Sequence, residues 1–179
     1  MKKVLIISST LRTKGNSEIL ANEFARGARE GGNKVEVISL GGKKISFCQG
    51  CLTCQRTGQC IIKDDANEIV DKMLEAEVIV FATPVYFYEM SGQLKTLLDR
   101  SNPNFPKNYA FRDIYLIATA ADNSKEAIKG TINGVNGWIE CFDNVSLKGV
   151  VYGVGVSDVN EVTHHESLLK EAFEMGKNI

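Results

Sequence analysis

Among the 179 residues there is no G-x-x-x-x-G-K-[ST], which disfavours a P-loop nucleotidase. No G-x-G-x-x-G follows the first apolar run either, which disfavours a built-in dinucleotide domain. No Ser-His-Asp, Cys-His or paired-carboxylate constellation nominates a nucleophile or a general acid. Surplus charge is missing as well: 21 basic against 22 acidic residues leave a formal net charge of -1. That gives no field to attract a polyanion or an anionic membrane, so neither nucleic acid nor a membrane is expected as a partner. Met1-Lys2-Lys3 leads into an apolar run that stops at Ile7, before Ser8-Ser9-Thr10. This is too short for a signal-peptide core or a membrane span, and a cytoplasmic location is expected. Internal repeats, low-complexity tracts and interdomain linkers are absent, and 44% hydrophobic residues suffice for one buried core. Residues 1–179 therefore read as a single domain with one active region.

What is present is alternation. Five short β-rich apolar runs, at Val4–Ser8, Val35–Leu40, Val78–Ala82, Ile114–Thr119 and Val150–Val156, are separated by helical patterns. Such an order implies a parallel sheet covered by helices on both faces. The first helix is expected to start near Asn16-Ser17, whose side-chain oxygens can cap free amides, and to end at Gly31-Gly32. Further helices follow Asp64-Asp65, run from about Ser91 to Arg100, and are expected from Ser124 to about Cys141 and from about His164 to Lys177. Gly130 and Gly134 weaken the fourth of these patterns, and Cys141 on it reads as a small buried residue. His164 and His165 are adjacent and so point apart, which argues against a metal pair. The stretch from Gly41 to Asp65 has no periodicity and reads as a long cysteine-rich insertion loop, a length that usually marks function.

In an open parallel sheet ligands sit beyond the carboxyl ends of the strands. Behind the first strand stands Ser8-Ser9-Thr10-Leu11-Arg12-Thr13-Lys14-Gly15-Asn16-Ser17, hydroxyl-rich and just ahead of a helix N-terminus. Free amides, the helix dipole and Arg12 would favour a phosphate there, although the same residues are also ordinary turn and cap formers. With the two nucleotide fingerprints missing, the phosphate would belong to a mononucleotide. Behind the third strand Thr83-Pro84-Val85-Tyr86-Phe87-Tyr88 offers a flat apolar wall suited to a planar ring, or simply aromatics that pack on the sheet. Behind the fourth, Thr119-Ala120-Ala121-Asp122-Asn123-Ser124 supplies small and polar residues, equally readable as a turn with a helix cap.

Three features together resemble the flavodoxin-like NAD(P)H-dependent FMN reductases and, within them, the iron-sulfur flavoproteins. They are Ser9-Thr10-x-Arg12-x-x-Gly15-Asn16-Ser17, then Thr83-Pro84-Val85-Tyr86 with Leu94-Lys95 and Asp99-Arg100, and the block Cys48 to Cys60 ending in Asp64-Asp65. The resemblance covers roughly residues 1 to 125. It implies an α/β three-layer flavodoxin-like fold with a five-stranded parallel sheet in the order 2-1-3-4-5. It also implies FMN, its phosphate at Ser9, Thr10, Arg12, Gly15, Asn16 and Ser17 and its ring against Pro84, Val85, Tyr86 and Phe87. Thr119, Ala120 and Asp122 would stand on another side, where relatives often carry glycines and this chain has Ala120-Ala121. Electrons would come from NAD(P)H or reduced ferredoxin and pass to a quinone, a flavin or a cluster, or the chain would be a non-catalytic carrier between proteins. Dimers, or dimers of dimers, are implied too.

Four of the five cysteines lie at Cys48, Cys51, Cys54 and Cys60. In a reducing compartment such a block reads as metal or redox chemistry rather than disulfides. Three thiols at intervals of three with a fourth nearby can gather on one cluster, and Gly50 and Gly58 give the backbone freedom for it. The block is similar to the motif that binds [4Fe-4S] in the iron-sulfur flavoproteins; zinc held by four thiolates, or a metal-free cap over the flavin, are the competing readings.

Overall fold

The computed structural model describes residues 1–179. Strand β1 (Lys3–Ser8) is buried from Val4 onward on both faces, as a central strand between two helical layers must be. Strand β2 (Lys34–Ser39) alternates exposed and half-buried positions, which suits the edge of the sheet. The remaining parallel strands are β3 (Val78–Tyr86), β5 (Asp113–Ala120) and β6 (Ser146–Val154), with a two-residue β4 (Glu89–Met90) between the first two. The parallel strands lie in the order β2-β1-β3-β5-β6, the five-stranded doubly wound arrangement expected from the sequence. Ile7 stands opposite Ile38 and Phe81, and Phe81 opposite Leu116, so the middle of the sheet is apolar throughout.

Helices α1 (Asn16–Glu30) and α6 (Glu166–Lys177) cover one face. There Ile6, Phe24, Val80 and Ala172 form a core with Leu20 and Val151. The other face is covered by α3 (Asp65–Glu75), α4 (Gly92–Arg100) and α5 (Lys129–Ile139), around Phe81, Leu97, Phe111 and Met73. Burying each such large side chain contributes about 1.5–3 kcal/mol. The α1–α6 contact needs glycine: a Cβ on Gly27 or on Gly31 would press into the backbone of α6, and one on Gly176 into the backbone of α1. A five-residue turn, α2 (Thr53–Thr57), sits inside the long loop of residues 41–65.

Three details differ from the sequence reading. β3 runs four residues past Ala82 and folds back through Phe87 and Tyr88, with φ of +50° and +63°, to pair antiparallel with β4. A two-residue reversal with both φ positive is the hairpin geometry that matches strand twist, usually written with Asn and Gly. Gly130 and Gly134, which looked like helix weakeners, are where α5 meets that hairpin: side chains there would press into the Tyr88 carbonyl and the Met90 side chain. Cys141 is exposed rather than buried. The helix ends at Ile139, and the inward position passes to Phe142, leaving the Cys141 thiol to donate to the Gly137 carbonyl at 3.5 Å.

Candidate functional site

The carboxyl ends of β1, β3, β5 and β6 surround a cleft open to solvent on one side. Of the residues singled out in the sequence, it is lined by Thr10, Arg12, Gly15, Asn16 and Ser17, by Pro84, Val85 and Tyr86, and by Thr119. Ala121, from the loop expected to form a further wall, completes it together with Val156 and Ser157, which were not anticipated. The last two stand at the end of the final apolar run, Val150–Val156, where no motif marks the loop.

At the floor of the cleft α1 begins without the side-chain cap expected of Asn16 and Ser17. Gly15 is the N-cap, in extended conformation at φ -64° and ψ 146°, and no side chain bonds the first turn. The amides of Asn16, Ser17 and Glu18 therefore have no protein acceptor. Ser17 is buried, and its hydroxyl has no partner. Unmatched donors in a helix N-terminal turn, beside an arginine, form a site for an anion. Glycine is needed at 15 because a Cβ would lie 2.6 Å from Thr10 Oγ1, the atom that accepts the Arg12 amide at 3.2 Å. Arg12 Nη1 donates to the Ser157 carbonyl at 2.8 Å, which ties the loop after β1 to the loop after β6.

Ser9 lies beneath the cleft instead of lining it. Its hydroxyl donates to the Ala82 carbonyl at 3.1 Å and accepts from Ser91 Oγ at 2.8 Å, and Ser91 in turn caps α4 through the Leu94 amide. Thr83 Oγ1 donates to the Pro84 carbonyl at 2.9 Å and accepts the Ser91 amide at 3.0 Å, which stiffens the wall that Pro84, Val85 and Tyr86 present. Phe87 projects fully into solvent from the hairpin tip and is not among the lining residues. Ala120 is buried under the loop after β5. Asp122 braces that loop to the hairpin: it accepts the Tyr88 hydroxyl at 3.3 Å and the Ser124 amide at 2.8 Å.

The cysteine block hangs from one guanidinium. Arg100, at the end of α4, is fully buried and donates to both carboxylate oxygens of Asp64, at 2.7 and 2.9 Å. It also donates to the carbonyls of Ser46 and Ile62 and to Asn67 Oδ1, at 2.8, 3.2 and 3.1 Å. Burial alone would raise the Asp64 pKa, but the bonds from Arg100 and from the Ser46 and Ala66 amides outweigh it and hold the carboxyl below its ordinary value. Ser46 and Ile62 flank the cysteines, so Arg100 closes the neck of the loop. Beyond the neck the thiols differ. Cys48 and Cys51 are exposed, Cys60 is half-buried, and Cys54 is buried and accepts from Asn102 Nδ2 at 3.2 Å. The Thr53 amide and hydroxyl lower the pKa of the Cys51 thiol. No three Cys, His, Asp or Glu side chains gather in a geometry that could hold a metal ion. The four thiols as placed do not fit a cluster, whereas the open amides and orphan Ser17 hydroxyl fit the phosphate of a mononucleotide.

No helix is long and apolar enough to cross a membrane. An iron-sulfur flavoprotein of Methanocaldococcus jannaschii is 45% identical over 101 residues, 56% of this chain but 52% of that protein, so this chain matches only about half of that relative's length. An iron-sulfur flavoprotein of Archaeoglobus fulgidus is 30% identical over 97% of this chain and 81% of its own. Among solved structures, an NAD(P)H:quinone oxidoreductase from Methanothermobacter marburgensis shares the fold at a TM-score of 0.73 and 17% identity, covering 99% of this chain and 96% of that one. The family described as NADPH-dependent FMN reductase matches residues 2–136, and the chain belongs to that family.

Proposed function

We propose that the cleft binds FMN and that the chain is a flavin-dependent oxidoreductase of the cytoplasm, taking electrons from NAD(P)H or reduced ferredoxin and passing them to a small acceptor such as a quinone or a flavin. The observation that carries this reading is the buried, unpartnered Ser17 hydroxyl beside the open amides of α1, at one end of a cleft whose other wall is Pro84-Val85-Tyr86. Ser17, the α1 amides and Arg12 would hold the phosphate; Pro84, Val85 and Tyr86 would set the ring plane, with Thr119 and Ala121 on another side. When bound, FMN accepts a hydride or single electrons, so the side chains need only orient the ring and shape its access. The mouth of the cleft is open and no second nucleotide fold stands beside it, which suits a donor that comes and goes.

A second reading, a carrier that relays electrons between proteins without substrate turnover, is favoured by relatives named iron-sulfur flavoproteins. In it Cys48, Cys51, Cys54 and Cys60 would hold the cluster, which requires the loop beyond the Arg100 neck to close up from the geometry described. An assembly of two or four copies belongs to both readings. Protein purified without oxygen should be assayed for FMN, iron, zinc and sulfide per chain and then mixed with NADH, NADPH or reduced ferredoxin. Flavin reduced by either nicotinamide supports the reductase. Flavin with about four irons per chain, reduced by ferredoxin alone, supports the carrier. A protein that takes up no flavin even from added FMN would overturn both.

A further inference from the structure

Resting on the FMN reading, we propose that residues 155–162, which follow β6, form a strap closing the phosphate end of the cleft, and that Asn16 is the residue that positions this strap rather than a ligand of the phosphate. The strap leaves the sheet at Gly155, whose φ of +72° favours glycine and where a Cβ would also displace the Asn123 side chain. Its start is bound to the loop after β5: the Gly155 amide donates to the Asp122 carbonyl at 2.9 Å and the Val156 amide to the Ala120 carbonyl at 3.0 Å. It then crosses the loop after β1. Asn16 Nδ2 donates to the Asp158 carbonyl at 2.9 Å while Asn16 Oδ1 accepts the Val162 amide at 3.0 Å. Only one orientation of the side-chain amide satisfies both bonds, and each end of it is then engaged by the strap. The Asn160 amide adds a bond to the Lys14 carbonyl at 3.1 Å, and Arg12 grips the Ser157 carbonyl from the cleft side.

The division of labour within Asn16-Ser17 follows from which polar atoms are already used. The Asn16 side chain is buried and uses both its nitrogen and its oxygen on the strap, whereas the neighbouring Ser17 hydroxyl is buried and has nothing. An incoming phosphate meets a wholly unpartnered donor at Ser17, whereas the Asn16 amide is already oriented by its two bonds to the strap. The strap is also braced internally, since Glu161 Oε2 accepts the amides of Ser157 and Asp158 at 2.6 and 2.9 Å. Those amides are therefore withheld from the cofactor, and the strap contributes shape and exclusion of water at Val156 and Ser157. Asn16 acts on the cofactor through it.

The test uses the full chain, stripped of flavin and then reloaded, as wild type, Asn16→Ala, Asn16→Asp and Ser17→Ala. Amide hydrogen exchange over residues 157–163 is read without flavin, circular dichroism checks folding, and the Kd is measured for FMN. Asn16→Ala is expected to speed exchange at Val162 about tenfold or more and to weaken FMN by a similar factor, the loss of about one well-made hydrogen bond at each end. Asn16→Asp keeps the oxygen that faces the Val162 amide and loses only the bond to the Asp158 carbonyl, so Val162 stays protected. This variant carries the test if Asn16→Ala does not fold. Ser17→Ala should weaken FMN with strap exchange unchanged. Unaltered exchange in both Asn16 variants, or a loosened strap with FMN affinity intact, would overturn the proposal. A wild type that binds no FMN would sink the closing role along with the functional reading, while the exchange at Val162 would still show whether Asn16 holds the strap.

Discussion

The two loops richest in chemistry are held in opposite ways. The phosphate end of the cleft is fastened along its length: Thr10, Arg12, Lys14 and Asn16 each make a bond that fixes the local backbone or the segment after β6. The cysteine block is fastened at its neck, by Arg100 on Asp64, Ser46 and Ile62, and at one point beyond it, where Cys54 and Gln55 bond Asn102, while Cys48 and Cys51 lie in water. A site built in advance binds its ligand without an ordering cost, whereas a site fixed only at its ends must pay that cost from whatever it binds. The first region is ready for an anion as it stands; the second needs an occupant to organise it.

Four experiments would break or sharpen this contrast. The largest effect is expected at the neck: Arg100→Leu leaves the Asp64 carboxylate uncompensated and should cost about 3–5 kcal/mol of folding stability, read by urea unfolding. If the loss is under 1 kcal/mol, the guanidinium is not the anchor of the block. Gly130→Ala should cost about 1–3 kcal/mol, because the new methyl group meets the Tyr88 carbonyl and pushes the hairpin that carries the cleft wall. Ser17→Ala should raise the Kd for FMN about tenfold while leaving the flavin-free protein no less stable, since the hydroxyl it removes is unpartnered there. Exposed Cys51→Ser should change stability by no more than about 0.5 kcal/mol, and a larger loss in flavin-free, metal-free protein would show that the block is already packed.

Acid titration probes the neck from another direction. The folded pKa of Asp64 lies below its ordinary value of 3.8, so its contribution to stability is complete above that value and is lost as pH falls through the folded pKa. The Arg100→Leu protein should lose this part of the acid dependence.

Much of this was legible in the sequence, and what was hidden has physical causes. The parallel strands announced themselves because burial on both faces demands runs such as Val4–Ile7 and Val78–Ala82. The loop after β1 was legible as cleft lining because it lies beyond the carboxyl end of a central parallel strand, just ahead of a helix. The β3–β4 hairpin was not, since Phe87 and Tyr88 adopt positive φ without the Asn or Gly that signals it, and the compensating glycines lie on α5 at 130 and 134. The place of Asn16 was equally hidden: its partners Asp158 and Val162 are 142 and 146 residues away, beyond any local pattern. Cys141 was misjudged because helical periodicity was carried past the true end of α5 at Ile139.

The helix that opens at the phosphate floor is clamped, through Gly27, Gly31 and Gly176, against the helix that follows the strap. The floor and its closure thus lie far apart in the sequence and are joined both by the bonds of Arg12, Lys14 and Asn16 and by this glycine seam. On a ribosome the loop at residues 10–17 emerges long before residues 155–162, so the proposed flavin site would be complete only after both have been made. On the FMN reading, flavin would stabilise by mass action only molecules in which the floor and the strap are both present and packed together.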